Sequence, residues 1–372
     1  MDFNEINIFG AGPAGLTVAN KLIKNGFEPS VYESNSVVGI PQHCSGIVSH
    51  RFLEMASIPN FLVKKKFYGV ELRVGGLHFK AVASMPRAYA IDRYRYELWL
   101  EKMFLDLGGV IRFNEEFKYD MTKKSDALII DATGVRSYIT NKRGDVLPAM
   151  QLIYRGEEGF DEYDDRIAYI FVDKDVNPDF FSWAINIGNN IWKLGSASNR
   201  NLWRVLSSML SINRDALDKN SIKKLYGHVI VGGPVQKFFN PSLNVVLIGD
   251  SAGQVKVTTG GGLYYLLVAS DMLIDALKYD APEYSSHFYK LFKDEYRLQK
   301  MLRHIFLTYS QRELMEIVSI MSRGEFFNVL LTLGDMDFHM TSLVKLLMDR
   351  DFIKTVFQLS KYMKLSMLFR SL

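Results

Sequence analysis

Two glycine-rich stretches and one cysteine are the parts of this chain best suited to chemistry. "GAGPAG" spaces Gly10, Gly12 and Gly15 as G-x-G-x-x-G, and "GDSAGQVKVTTGGG" places Asp250 ahead of a run of glycines ending at Gly262. Glycines at this density let backbone approach a guest: the first makes a tight turn, the second admits a pyrophosphate, and the third lets helix touch strand. Glu33 closes the next apolar run, where a carboxylate can accept the hydrogen bonds of a ribose. An acid at that place favours an unphosphorylated adenosine, that of FAD or NAD.

The elements that must hold these residues follow from the pattern. "INIFG" reads as a strand, Leu16, Val18, Ala19, Leu22 and Ile23 as the apolar face of a helix, and "EPSVYE" as a second strand, which is βαβ order. A lone G-x-G-x-x-G also serves as ordinary turns; strand, helix, second strand and acid together make it a dinucleotide site, with Ala14 in the first helical turn and the helix amino end toward the phosphates. "LNVVLIGDSAG" repeats the theme, and the long helix after it opens at Gly262 and Leu263. If this second strand joins the same parallel sheet, its carboxyl end emerges beside the first turn. Asp250 can then accept hydrogen bonds from a ribityl chain, and the amides near Gly262 and Leu263 can face a flavin's polar edge. A nicotinamide cofactor has no ribityl chain, so FAD is the reading; the plainer alternative is a glycine-rich crossover closing a sheet.

Two intermediate segments agree. "YAIDRYRYELWLEKMFLDLGG" predicts an extended piece, a cap at Asp92 and a helix with Leu98, Met103 and Leu107 inward, which puts Arg93 in the first turn, within reach of a diphosphate. "SDALIIDATGVRS" predicts a buried strand followed by Ala132, Thr133 and Gly134, residues that tolerate close approach by a ligand.

Bulk properties narrow the class. At 372 residues the chain exceeds one core, so two or three interleaved domains are expected. A net charge of +4, from 45 basic and 41 acidic residues, is too slight for a nucleic-acid footprint. Cys44 is the single cysteine, which excludes an internal disulfide or a cysteine zinc cluster and fits a reducing cytosol. His43 and His50 flank it, but such close neighbours seldom converge on one ion, and no metal centre is expected. Residues 1–5 lead straight into a strand, so no targeting segment is expected, and "GGGLYYLLVAS" is too short to span a bilayer. A cytoplasmic chain, at most peripheral on the inner membrane face, is the expectation.

Stretches such as "FFSWAINI" and "NIWKLGSA" alternate as strands of an antiparallel sheet over the cofactor, and helical periodicity takes over from about residue 283. The expected fold class is therefore α/β: a discontinuous Rossmann-like FAD-binding domain around a parallel sheet (1–66, 83–148 and 236–282), an inserted antiparallel-sheet substrate domain (67–82 and 149–235) and an α-helical C-terminal region (283–372). "KKK" at 64–66 reads as an exposed turn and the acidic run at 157–165 as a solvated loop. In the last stretch, Phe352, Val356, Leu359, Met363 and Met367 recur at helical spacing with basic and no acidic company, a face suited to an anionic membrane or to a core or oligomer contact.

The ordered set "GAGPAG", Glu33, "PQHCSG", the "DR" of Asp92 and Arg93, "DATG" and "GDSAGQVKVTTGGG" resembles the geranylgeranyl reductase family of FAD-dependent flavoproteins, particularly the archaeal digeranylgeranylglycerophospholipid reductases, within the hydroxybenzoate-hydroxylase fold group. The resemblance covers roughly residues 1–270. It implies that Ala14 and Glu33 contact the adenosine half, that Cys44, Ser45 and Gly46 lie by the isoalloxazine, that Arg93 holds diphosphate, and that Asp250, Gly262 and Leu263 hold the ribityl and ring end. The implied reaction is hydrogenation of the C=C bonds of geranylgeranyl chains in membrane lipids or prenyl diphosphates, with NAD(P)H or a ferredoxin as electron source. Cys44 is then a proton donor, a compact wall or a remote buried thiol, and Trp183 an aromatic wall for the prenyl chain or simply core. Members often carry a Y-x-W-x-F-P-K-G-like segment; the matching "FSWAINIG" keeps Trp183 and Gly188 but has Asn186 and Ile187 for proline and lysine, which leaves the lipid unspecified. An aromatic monooxygenase of the same fold, or a prenyl-binding protein without catalysis, are the alternatives.

Overall fold

The structure, a computed structural model, describes residues 5–118, 127–139, 146–156, 160, 163–279, 283–322, 326–346 and 353. One half is built on a six-stranded sheet in the order Phe239–Asn240, Val245–Leu247, Leu128–Asp131, Ile6–Phe9, Pro29–Glu33, Val110–Phe113. All neighbours are parallel except the short first pair. Ile6–Phe9 has Pro29–Glu33 on one side and Leu128–Asp131 on the other, with Ile8 opposite Val31 and Ile130. The chain thus winds outward in one direction first and in the other later. The order reverses between Ile6–Phe9 and Leu128–Asp131, and ligands of open parallel sheets bind outside the strand ends at such a reversal.

The central strands are apolar runs rather than alternating ones because both faces are covered: all four residues of Leu128–Asp131 and all three of Val245–Leu247 are buried. Helix Pro13–Lys24 buries Leu16, Val18, Ala19 and Leu22 as the sequence predicts, and touches both Arg93–Asp106 and Leu263–Lys278. The buried Asn20 amide bridges the first pair, donating to Leu16 O and Leu100 O at 2.8 and 2.9 Å. Helix Arg93–Asp106 starts at the predicted cap, with the Asp92 carboxylate accepting from Arg95 N at 3.2 Å, but its inward face differs from the expectation. Tyr96, Leu100 and Phe104 form the buried i, i+4, i+8 stripe, while Leu98 and Met103 are half-buried and Leu107 is exposed. Two aromatic rings on one stripe bury more apolar surface than the leucines beside them.

A second, seven-stranded sheet runs Ser221–Ile230, Val146–Arg155, Ile191–Ala197, Ser182–Asn186, Ile167–Val172, Gly69–Val74, Leu77–Val82. It is antiparallel save for the parallel pairing of Ile167–Val172 with Gly69–Val74. One face, with Leu152, Tyr154, Tyr169, Phe171, Trp192 and Leu194, packs under helices Leu202–Leu210 and Arg214–Asn220. Strand alternation sends Gln151, Trp183, Ile185, Lys193 and Gly195 to the other face. The lysines at 64–66 are not a turn. They lie in strand Val63–Phe67 at the edge of a third, three-stranded sheet, with Lys64 and Lys66 exposed, where charge discourages edge-to-edge pairing.

The C-terminal part is helical as expected: Tyr284–Thr308, Gln311–Met321, Phe326–Leu333 and His339–Leu346. Phe288, Phe292 and Tyr296 carry the first of these into the core beside the six-stranded sheet. Among the described residues no helix is long and apolar enough to cross a membrane. The apolar spacing from Phe352 to Met367 and most of the acidic run lie outside the described residues.

Candidate functional site: a crevice between two glycine turns

Four segments meet at the carboxyl ends of the parallel strands. At the first, Gly10 has φ +102°, and a methyl added there would sit 2.5 Å from Ala132 O, so the turn after Ile6–Phe9 is pressed against the turn after Leu128–Asp131. A methyl at Gly15 would lie 1.8 Å from Gly10 O, which is the close helix–strand contact the third glycine is there to permit. A methyl at Gly12, in contrast, would meet nothing within 4 Å. The middle glycine borders open space.

The second glycine turn arrives beside the first. Gly249 has φ +66°, and a methyl on it would lie 2.9 Å from the Cβ of Ala14; one on Gly134 would lie 4.0 Å from the Asp250 Cβ. One on Gly262 would come within 3.4 Å of Asp250 Oδ1. Ala14, Ala132, Gly134, Asp250 and Gly262 are therefore neighbours at one junction, where Asp250 is exposed. The junction is locked from behind: Ile248 N donates to Asp131 O at 3.2 Å, the Ser251 hydroxyl donates to the same carbonyl, and Gly249 N donates to Gln254 Oε1 at 2.8 Å. Asp131 itself is fully buried and spends its carboxylate on Thr133 and Ser137.

Glu33 ends its strand next to the first turn. Its Oε1 accepts from Asn35 N and Asn35 Nδ2 at 2.8 and 2.7 Å, and its Oε2 accepts from Ala11 N at 2.8 Å. A carboxylate oxygen has two lone pairs, so Oε2 keeps one acceptor direction.

The turn around Cys44 closes the crevice against the seven-stranded sheet. Cys44 is exposed, and its Sγ accepts a long 3.4 Å hydrogen bond from Gly46 N. Gln151 Nε2 donates to Cys44 O at 3.3 Å, and Lys193 Nζ donates to Ser45 O at 2.7 Å. His43 lies over Gly227 of the sheet edge and beside Arg136, just past Gly134; burial, then the Arg136 and His228 charges, push its imidazole below its ordinary value. On the other flank, a methyl on Gly260 would strike the Val229 side chain at 2.3 Å. The sheet thus touches both the 43–46 turn and the glycine-rich loop. Trp183 stands on its crevice-side face, half-buried, with its ring across Gly195 and edge-on to Phe181.

Arg93 is in the predicted first helical turn and is buried: its guanidinium donates to Glu97 Oε1 at 2.7 Å, while its Nε is buried with no hydrogen-bond partner among the described residues. Leu263 opens helix Leu263–Lys278, whose N-cap Gly262 offers no side-chain cap; the same holds for Gly12 ahead of Pro13–Lys24. Two uncapped helix amino ends, open space at Gly12 and an acceptor on Glu33 suit an extended dinucleotide with its diphosphate. The residues present fit such a group.

Sequence reasoning missed Lys193, Gln151 and Lys256. Lys256 is buried, and its ammonium reaches Met336 O at 2.8 Å and Asp337 Oδ1 at 3.2 Å, tying the glycine-rich loop to the C-terminal helices. The one available signal was a lysine inside an apolar strand, as in "NIWKLGSA".

No family model matches the chain. Among curated proteins, it is 23% identical to digeranylgeranylglycerophospholipid reductase 1 of Methanopyrus kandleri, over 87% of this chain and 95% of that one. Among solved structures, a geranylgeranyl bacteriochlorophyll reductase-like protein of Thermoplasma acidophilum superposes with a TM-score of 0.75 at 17% identity, covering 96% of this chain and 99% of that one. A probable FAD-dependent monooxygenase of Pseudomonas aeruginosa follows at 0.60 and 14%, covering 85% and 99%. The chain is thus related in sequence to proteins named as geranylgeranyl-type reductases, and its fold is that of the FAD-dependent reductases and monooxygenases.

Proposed function

We propose that this chain is an FAD-dependent oxidoreductase that hydrogenates C=C bonds of isoprenoid chains carried by membrane lipids or prenyl diphosphates. The observation that carries the reading is the meeting of the two glycine turns, Ala14 against Gly249, at the reversal of the parallel sheet. Relatives named as reductases of geranylgeranyl chains support the substrate class. The adenosine half is assigned to Ala14 and Glu33, the diphosphate to the amides at Gly12 and to Arg93, and the ribityl and ring end to Asp250, Gly262, Leu263 and the turn of Cys44, Ser45 and Gly46. Ala132 and Gly134 complete the wall.

Reducing an isolated alkene takes a hydride and a proton. Reduced flavin supplies the hydride. The chain's part is to exclude water, align the prenyl chain and hold the proton. The sheet face with Trp183 and Ile185 is the apolar wall, and the exposed Cys44 thiol is the donor assigned to the second carbon. Working from the cytoplasm, the protein meets its lipid at the inner membrane face, with NAD(P)H or a ferredoxin supplying electrons.

The test is mass analysis of prenyl lipids and geranylgeranyl diphosphate after anaerobic incubation with FAD-loaded, dithionite-reduced protein. Products heavier by one pair of hydrogens per saturated bond are expected. Unchanged lipids, together with aromatic-stimulated NAD(P)H consumption in air, overturn the reading in favour of a monooxygenase. Colourless protein that takes up no FAD overturns it in favour of a binding role.

A further inference from the structure

Lys193 lies in Ile191–Ala197, an interior strand of the seven-stranded sheet, on the side of the Cys44 turn, and is only 7% exposed. Its ammonium has two recorded acceptors, Ser45 O at 2.7 Å and Cys44 O at 3.5 Å, and no carboxylate within ion-pair distance among the described residues. Buried lysines are ordinarily paired, because an isolated ammonium loses its hydration with nothing in return. The titratable groups near it are the Cys44 thiol, the Arg93 guanidinium and the Asp92 carboxylate. Arg93 is neutralised by Glu97 at 2.7 Å and Asp92 by Lys64 at 3.1 Å; His43, on the same turn, sits over Gly227 instead. Lys193 is left as an uncompensated positive charge behind the Cys44 turn. Around it, Gln151 Oε1, Trp183 Nε1 and Arg93 Nε are buried without partners among the described residues.

Resting on the FAD reading above, we propose that Lys193 is the counter-charge of the site: its ammonium pins the turn of residues 44–46 to the sheet and favours the reduced cofactor, which gains one negative charge on taking up two electrons and a single proton. Lys193 is a positioning residue here, acting through charge and through the turn it holds. Burial holds its ammonium down at about 8, so the counter-charge is present at neutral pH and is lost on going alkaline.

The test is an anaerobic spectroelectrochemical titration of the FAD-loaded wild type, Lys193→Met and Lys193→Arg between about pH 6 and 10. Lys193→Met is expected to shift the oxidised-to-reduced ratio at a fixed potential about tenfold toward oxidised, a charge effect of ordinary size at this depth, and Lys193→Arg to restore it. In the wild type, proton uptake per electron pair is expected to rise from one to about 1.5 between about pH 8 and 9, because reduction raises the proton affinity of the amine by the same factor of about ten, and to return to one above that window; Lys193→Arg stays at one. Uptake of one proton throughout in the wild type, or a Lys193→Met potential equal to that of the wild type, overturns the inference and leaves the FAD reading intact. If Lys193→Met does not fold, the wild-type pH series and Lys193→Arg decide alone. Failure of the wild type to bind FAD overturns both.

Discussion

Gly249 rests against Ala14, close enough that a methyl on the glycine would lie 2.9 Å from the alanine Cβ. This contact joins the two glycine turns, and φ +66° at Gly249 holds the second turn in a shape that other residues resist. Gly249→Val is expected to cost about 1–2 kcal/mol in backbone strain alone and to drive the turns apart. Purified variant protein should melt earlier and carry little FAD. Full flavin occupancy at an unchanged melting temperature would mean that the junction does not shape the site.

Gly12 and Gly15 separate binding from folding. Gly12→Ala adds a methyl that meets no atom within 4 Å, so apo stability should change by no more than about 1 kcal/mol while FAD affinity falls at least about tenfold, since the methyl would occupy the path proposed for the diphosphate. Gly15→Ala places its methyl 1.8 Å from Gly10 O and should cost about 3 kcal/mol or fail to fold. Thermal melts of the apo forms and fluorescence titration with FAD check both. A Gly12→Ala protein that binds FAD as tightly as the wild type contradicts the assignment of the phosphate turn.

The sequence disclosed these turns because their chemistry is local: glycine spacing, strand ends and an acid all sit within short windows. The inward face of Arg93–Asp106 was misread because a stripe of Tyr96, Leu100 and Phe104 competes with leucines at almost equal spacing, and only the packed neighbours choose between them. The lysines at 64–66 form an edge strand because pairing with Ala88–Ile91, fixed by tertiary contact, outweighs their weak strand preference. Lys193 and the Lys256–Asp337 pair were invisible for another reason. Their partners lie far away in the chain and follow no motif, so the sequence holds the charges but not the pairing.

Glu295 and His339 predict a pH dependence. The Glu295 carboxylate is buried, takes His339 Nδ1 at 2.6 Å, and accepts from the His339 and Met340 amides at 2.9 and 2.8 Å and from Gln299 Nε2 at 2.6 Å. Burial pushes this carboxyl up, but the His339, Met340 and Gln299 hydrogen bonds outweigh it and carry the group below its ordinary value. A folded-state value below the unfolded one contributes stability that is complete above the unfolded value, about 4.3, and is lost as pH falls through the folded one. Glu295→Gln should therefore cost about 1–3 kcal/mol near neutrality, and its deficit against the wild type should shrink below about pH 4. Melting temperatures across a pH series check this; a deficit that is constant with pH assigns the loss to packing rather than to the charge.

Trp183 and Gly195 are registered partners on adjacent strands, and the indole occupies the space that any larger residue at 195 would need: a methyl there would lie 2.1 Å from Trp183 Cζ2. Gly195→Ala is thus a way to move the indole without removing it, while Trp183→Leu removes the ring. The indole bridges two apolar clusters, one with Phe180, Phe181 and Leu147 and the other with Phe67, Ala90 and Ile185, which fits the proposed role as a wall for the prenyl chain rather than as a cofactor contact. Both variants should bind FAD within about twofold of the wild type. They should raise KM for a prenyl lipid about tenfold, with a smaller change in kcat, because a displaced wall weakens ground-state and transition-state binding of the chain alike. Were FAD affinity to fall in step with KM, Trp183 would belong to the cofactor's support, and the substrate wall would have to be sought elsewhere on the sheet.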